Sequence, residues 1–362
     1  MNGVIVIDKP AGWTSHDVVN RMRRILQQRS VGHLGTLDPL ATGVLPLVTG
    51  SLTRLAQFYI ASEKTYEGII RFGFATNTYD ADGEPLNELF PAGSHVGTAA
   101  LGCLALDDLQ KLAAGFHGLI SQIPPPFSAK KIHGVPAYKL ARKQKEVILK
   151  PVQVEIKEFV ITAVEADRAH FRARVSSGTY MRSIAHEMGQ RLGCGAHLES
   201  LRRTSVAEFD ITQAHTLEAI EACSVLPLTG AHSAGEAGKM AMPENELCHS
   251  ERVRVDASAS RRIPTPASPV GDTVDVLDNA SATETRTIQS FFIHPRQLLP
   301  LFPSVTADEA TAARIRSGRP VNLPELSRAR QVKVFANQND LLAIATRVAG
   351  TLFHPKIVFP SD

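Results

Sequence analysis

The run Gly32-His33-Leu34-Gly35-Thr36-Leu37-Asp38-Pro39-Leu40-Ala41-Thr42-Gly43-Val44-Leu45-Pro46 constrains this chain more than any other stretch. Its glycines admit φ > 0 and close approach by a ligand, while its prolines fix φ and remove a backbone donor. Pro39 also drives Asp38 out of the helical region. The segment therefore reads as a stiff loop. Between Leu34 and Arg54 the only ionisable side chain is Asp38. An Asp-Pro pair ordinarily marks a turn or a helix cap. A lone carboxylate on a stiff apolar loop is also a candidate nucleophile.

At 362 residues, 43% of them hydrophobic, the chain is long enough for two or three domains with real cores. No apolar run reaches membrane-spanning length. The chain opens directly on the strand pattern Val4-Ile5-Val6-Ile7, without the basic start and longer apolar stretch of a signal peptide, so the expected location is the cytoplasm. Cys103, Cys194, Cys223 and Cys248 are scattered, with no zinc-finger spacing, and read as reduced structural thiols. The histidines show no repeated ligand pattern either, and no metal site is expected.

The net charge of +3 is unevenly spread. Lys130, Lys131, Lys139, Arg142, Lys143, Lys145 and Lys150 face a single acid, Glu146, within one short segment. Arg21, Arg23, Arg24 and Arg29 form a second cluster, and Arg168, Arg172, Arg174, Arg182, Arg191, Arg202 and Arg203 a third. Such clustering in a near-neutral chain predicts a surface for a polyanion.

The spacing predicts a helix capped by Thr14 or Ser15, with Val18, Val19, Met22, Ile25 and Leu26 on one face and the arginines on the other. A strand from about Tyr66 to Phe72 places Tyr66, Gly68, Ile70 and Phe72 on one side. Thr76 to Gly83 is a turn cluster rich in Asx and Thr signals. Pro124-Pro125-Pro126 ends any helix or central strand and introduces the lysine-rich loop, about 124–150. Strands follow at Val152–Phe159 and His170–Ser176. A helix after Gly178-Thr179-Tyr180 buries Met181, Ile184, Ala185, Met188 and Leu192 and stops at Gly193. Residues 230–289, rich in Ala, Ser, Thr, Pro and Gly without Trp or Tyr, read as a disordered insertion or linker. A small β-rich unit spans 290–362. Within it Thr306-Ala307-Asp308-Glu309 fits a capping box, the helix stops at Gly318, and strands lie at Val332–Phe335, Leu341–Val348 and Ile357–Phe359.

Several motifs, in order, carry a resemblance. Gly3 to Pro10 with Thr14-Ser15, the Asp38 loop, Lys64-Thr65-Tyr66, and Gln122 to Lys131 with Tyr138 and Ala141-Arg142 come first. Ser177-Gly178-Thr179-Tyr180-Met181-Arg182-Ser183 and Gly195 to Leu198 with Leu201-Arg202-Arg203 complete the set. Over roughly Asn2 to Leu228 the chain resembles the TruB family of tRNA pseudouridine-55 synthases. The resemblance implies an α+β (mixed) pseudouridine synthase fold, residues 1–229, with a largely antiparallel central sheet flanked by helices. It also implies, weakly, that the C-terminal unit is a PUA-like RNA-binding domain.

The same resemblance implies a stand-alone isomerase converting uridine 55 in the tRNA T arm to pseudouridine. No cofactor, metal, membrane, obligatory protein or guide RNA is implied, and the enzyme is expected to be a monomer. Asp38 matches the catalytic aspartate. Its attack requires ionisation, which burial opposes, so a cation must lie close. Arg182 occupies the position that pairs with it. Tyr66 matches the tyrosine that stacks on the target base, and its hydroxyl is a candidate for moving the C5 proton. Tyr180 and Leu201 match apolar walls of the uracil pocket. His33 matches the residue that fills the space left by a flipped base. Lys9 and Lys64 are polar supports of the site. Lys130, Lys131, Arg142, Lys143 and Arg202 are expected on the RNA backbone. Gln144 stands where the family commonly has glycine, which would stiffen the loop tip.

Two other readings compete with this one: an RNA-folding factor that grips the T arm, and a pseudouridine synthase acting on a different RNA or working inside a guide-RNA complex. The set Asp38, Tyr66 and Arg182 favours catalysis, and the order of the motifs favours the stand-alone form.

Overall fold

Val4 and Val6 point to one side of the first strand and Ile5 and Ile7 to the other, and all four are fully buried. A strand apolar on both faces needs layers on both sides, and the rest of the chain supplies them. The computed structural model describes residues 1–86, 105–128, 130–132, 134–143, 149–224, 287–324 and 329–360. The greater part of the range read as a linker, 230–286, and the Gln144 position of the basic loop lie outside the described residues.

The larger sheet contains β1 (Gly3–Lys9), β2 (Val31–His33), β3 (Thr42–Thr49), β4 (Lys64–Phe72) and β5 (Gly118–Gln122). After the short hairpin of β6 (Lys131–Ile132) and β7 (Val135–Pro136), it continues with β8 (Val152–Glu165), β9 (Arg168–Val175), β10 (Ala196–Val206), β11 (Phe209–Asp210) and β12 (Phe292–Ile293). The order is β12-β1-β3-β10-β4-β9-β8-β5, with β2 beside β3 and β11 beside β10. Every pairing is antiparallel except β3 with β10.

One face of this sheet carries α1 (Ser15–Ile25), α3 (Leu106–Ala114) and α5 (Met181–Leu192), whose apolar residues share one core with Ile5, Tyr66, Ile70 and Phe72. Thr14 caps α1 in a reciprocal box with Asp17, and Gly193 ends α5 at φ +70°, both as the sequence indicated. The short α2 (Ala56–Tyr59) packs in the core of the opposite face. Among the described residues the remaining α-helices are α4 (Ala137–Ala141), α6 (Leu217–Ser224) and α7 (Glu309–Arg316).

The C-terminal region is β-rich. Strands β13 (Ser304–Thr306), β14 (Val321–Asn322), β15 (Gln331–Phe335), β16 (Leu341–Ala349) and β17 (Leu352–Val358) form a second sheet in the order β13-β15-β16-β17-β14. Phe335, Ile344 and Phe359 share a core with Val4, Val6 and Tyr59, so this sheet covers the back of the first strand. Two local expectations are corrected. The cap of α7 is Asp308, whose carboxylate accepts from the Thr311 N–H at 2.8 Å, because Thr306 is committed to β13 opposite Phe335. β17 begins at Leu352 rather than Ile357. Pro355, opposite Ala345, sits next to the register shift between Ile344 and Ala345, the kind of irregularity at which a strand accepts proline.

Gly43 is where the parallel pair β3–β10 closes. It sits at φ +95°, and a Cβ there would collide with the Arg203 carbonyl oxygen. Gly43→Ala is therefore expected to destabilise the protein by more than about 1 kcal/mol in denaturant unfolding. An unchanged midpoint would show that the strands do not approach this closely.

Candidate active site

A cleft of about 310 Å³ opens where the 35–38 loop, the start of β4, the Ser176–Arg182 turn and β10 converge. It brings together Asp38, Lys64, Tyr66, Tyr180, Arg182 and Leu201, all named from the sequence. Asp38 is partly open to solvent, while its partner Arg182 is buried. The Arg182 Nη2 lies 2.8 Å from the Asp38 Oδ2. The same guanidinium donates to the carbonyls of Thr78 and Phe127, each at 3.1 Å, and approaches Asp80 Oδ2 at 3.4 Å. The cation is thus fixed from several directions before any substrate arrives. A guanidinium does not lose its charge, so it supports an anionic Asp38 without competing for the proton.

The turn before α5 is itself clamped. The Gln122 side-chain carbonyl accepts from the Tyr180 N–H at 2.8 Å and its amide donates to the Tyr180 carbonyl at 3.1 Å. Burial pushes the Tyr180 phenol up, and the nearby Asp38 carboxylate adds to that rise. Tyr66 is almost fully buried on β4, packed at the floor of the cleft.

Lys9 and His33 are elsewhere. Lys9 is fully buried behind the loop, and its ammonium donates to the carbonyls of Pro10 (2.8 Å), Trp13 (2.6 Å) and Pro39 (3.2 Å). Desolvation brings its pKa down to about 8, against the raising influence of Asp38. His33 lies on β2, and burial lowers its pKa. Neither lines the cleft.

Two residues of the site escaped the sequence reading. Arg203 is fully buried and donates to the carbonyls of Val44 (2.8 Å), Thr36 (3.2 Å) and Gly35 (3.0 Å), holding both ends of the Asp38 loop. The signal was present: on a strand, Leu201 and Arg203 share a side and Arg202 takes the other. Arg202 accordingly pairs with Asp8 at 2.7 Å, away from Asp38. Asp80 is the second omission. It backs Arg182 from the turn that the sequence marked only as Asx-rich, and Thr78 donates to its Oδ1 at 2.5 Å. Burial raises the Asp80 pKa, more than the Arg182 charge lowers it.

The third basic cluster is not a free polyanion surface. Arg168 sits on Glu199, Arg174 near Glu63, Arg172 near Glu158, Arg191 on Glu187 and Arg202 on Asp8. Acidic partners offset most of it, and Arg182 and Arg203 are buried. Exposed positive character remains on the loop after the triple proline. There Lys130 and Lys143 are exposed and Arg142 lies over the Tyr138 ring, 5.6 Å from its centre. Of Lys131 only the backbone is described, on β6.

Among the described residues no helix is long and apolar enough to cross a membrane. The family model described as "TruB family pseudouridylate synthase (N terminal domain)" matches residues 23–181. That of the "tRNA pseudouridylate synthase B C-terminal domain" matches residues 182–232. The chain is 42% identical over 363 residues to tRNA pseudouridine synthase B of Solibacter usitatus, covering 99% of this chain and 100% of that protein. It is 42% identical over 268 residues to the Thermobifida fusca protein of the same name, 70% of this chain and 84% of the other. A chain in the crystal structure of a Cbf5-Nop10-Gar1 complex superposes with a TM-score of 0.59 at 20% identity, over 96% of this chain and 79% of that one, a likeness of fold.

Lys64, at the cleft wall, donates to the Ser62 carbonyl at 2.5 Å, and burial lowers its pKa to about 8. The unfolded chain, with lysine near its ordinary value of about 10.4, holds this proton more tightly, so stability from this group rises with pH between about 8 and 10. The unfolding midpoint of wild type relative to Lys64→Met should therefore move in favour of wild type as pH is raised from 7 to 10. A difference independent of pH would refute the depressed value.

Proposed function

This chain belongs to the TruB family of pseudouridylate synthases, and from that membership we propose that it isomerises uridine 55 in the T arm of tRNA. The family's enzymes are isomerases, and so is this chain. The observation that carries the finer reading is the partly open Asp38 carboxylate, gripped at 2.8 Å by a buried, permanently charged Arg182, in a cleft walled by Tyr66, Tyr180 and Leu201. The relatives named as tRNA pseudouridine synthase B support tRNA as the substrate.

In this reading the target nucleotide leaves the helical stack, at a cost on the order of a few kcal/mol, and its base enters the cleft. The Tyr66 ring offers a stacking face, and Tyr180 and Leu201 close the sides. Asp38 attacks with one carboxylate oxygen while Arg182 steadies the other. The N-glycosidic bond breaks, the base turns within the apolar walls, C5 joins the ribose as the bond formed by Asp38 is released, and C5 gives up a proton while N1 gains one. Tyr66 carries a hydroxyl on its stacking ring and is the proposed group for moving the C5 proton. His33 supports the opened T loop from beside the cleft, Lys9 holds the loop that bears Asp38, and Lys64 adds positive charge at the wall. Lys130, Lys131, Arg142 and Lys143 supply phosphate contacts, with Arg202 available only in exchange for Asp8. The enzyme works as a monomer in the cytoplasm, without metal, organic cofactor, guide RNA or protein subunit. The C-terminal β-rich region acts as a PUA-like extension of the RNA surface, on the division 1–229, 230–289 and 290–362.

The test is pseudouridine formation in purified, unmodified tRNA transcripts, mapped by site. Wild type should give a single T-arm product with nothing added. Asp38→Asn should lose at least about 10³-fold in turnover, with tRNA affinity nearly intact. A product at another site would overturn the position assignment, and full turnover by Asp38→Asn would overturn the role of the aspartate.

A further inference from the structure

Of the apolar side chains that line the cleft, Leu37, Tyr66 and Met181 are buried, and Tyr180 and Leu201 are half-buried. Ile60 is different: it lines the same cleft while 72% exposed. Single exposed apolar residues are common on protein surfaces and by themselves mean little. This one is held in place. Tyr59 beside it is buried, and its hydroxyl donates to Glu208 Oε1 at 2.6 Å. The Ser62 N–H donates back to the Tyr59 carbonyl at 3.1 Å, and Lys64 holds the Ser62 carbonyl from within the cleft. Ile60 therefore sits in a turn held on both sides, and it presents a branched, exposed apolar surface to the cleft.

A nucleotide drawn out of a stack leaves its neighbours with unstacked faces. Proteins that unstack bases meet such faces with apolar side chains, which replace part of the lost contact. We propose that Ile60 is a substrate-binding residue that packs against the nucleotide flanking the extruded uridine, as an apolar wedge at the cleft mouth. This rests on the reading of the cleft as the site of a flipped uridine. It adds a residue whose contribution is to binding the opened RNA and not to the bond-making step.

The prediction is a split between binding and chemistry. Ile60→Ala removes most of the wedge and should raise KM for a T-arm transcript on the order of tenfold, with kcat close to wild type. Ile60→Leu keeps the apolar bulk and should restore KM. Because the side chain is largely exposed, the thermal midpoint of both variants should match wild type. Direct binding of the same transcript to Asp38→Asn and to Asp38→Asn combined with Ile60→Ala should show the same loss of affinity. Unchanged KM and unchanged affinity in the Ile60→Ala pair would overturn the proposal, as would a fall in kcat alone. Failure of wild type to modify the transcript would instead strike the reading of the cleft, and the binding comparison would still decide whether Ile60 touches RNA.

Discussion

Two buried cations hold the backbone carbonyls on either side of Asp38. Arg203 binds those of Gly35, Thr36 and Val44, and Lys9 binds that of Pro39. An apolar loop rich in glycine and proline has few side-chain hydrogen bonds of its own to fix it, and the two cations add donors to its carbonyls. The cations satisfy them and set the loop's shape, so the carboxylate is presented from a scaffold rather than from a mobile tip. Arg182 then acts on the side chain itself. The site thus divides its positive charge between two tasks, with Lys9 and Arg203 on the backbone and Arg182 on the reactive oxygen. Burial is costly for charges unless they are paired or hydrogen-bonded, and each of these three has its partners within the protein.

Much of the framework was legible because it depends on local pattern. The 3.6-residue repeat of α1 and α5, the Thr14 cap and the Gly193 stop follow from residues a few positions apart. The alternation in β4 placed Tyr66, Ile70 and Phe72 on one buried side. Asp38 and Arg182 could be paired because both sit in long, distinctive motifs. What was missed depends on contacts distant in sequence. The charge clusters read as a broad basic surface because sequence shows the arginines close together but not the acids, such as Asp8, Glu63 and Glu199, that the fold brings beside them. Asp80 meets Arg182 through a turn whose position follows from its parallel bridge to Leu198. The C-terminal helix start moved from Thr306 to Asp308 because pairing of β13 with β15 claimed the threonine first.

The placement of the candidate residues also separates kinds of contribution. Tyr66, Tyr180, Leu201 and Ile60 meet at one cleft, but differ in how much surface they offer before a substrate arrives. Three of them are largely covered by their own protein, so the shape of the pocket is set in advance. The fourth stands at the mouth. A preformed interior with an exposed rim suits a ligand that must first be pulled out of its own structure and then held still.

β12 adds one further consequence. It pairs with the edge of β1 through Val4 and Ile5, and the Phe291 ring beside it packs edge-on to His215, 4.7 Å between centres. Helix α6 lies against the same Ile288–Phe291 turn. Helix α6 and the turn that leads into β12 are therefore neighbours in space. When two ends are fixed side by side, the entropy of closing the path between them grows only with the logarithm of its length, about 0.6 kcal/mol for each doubling. The closure cost therefore depends only weakly on how many residues join α6 to β12.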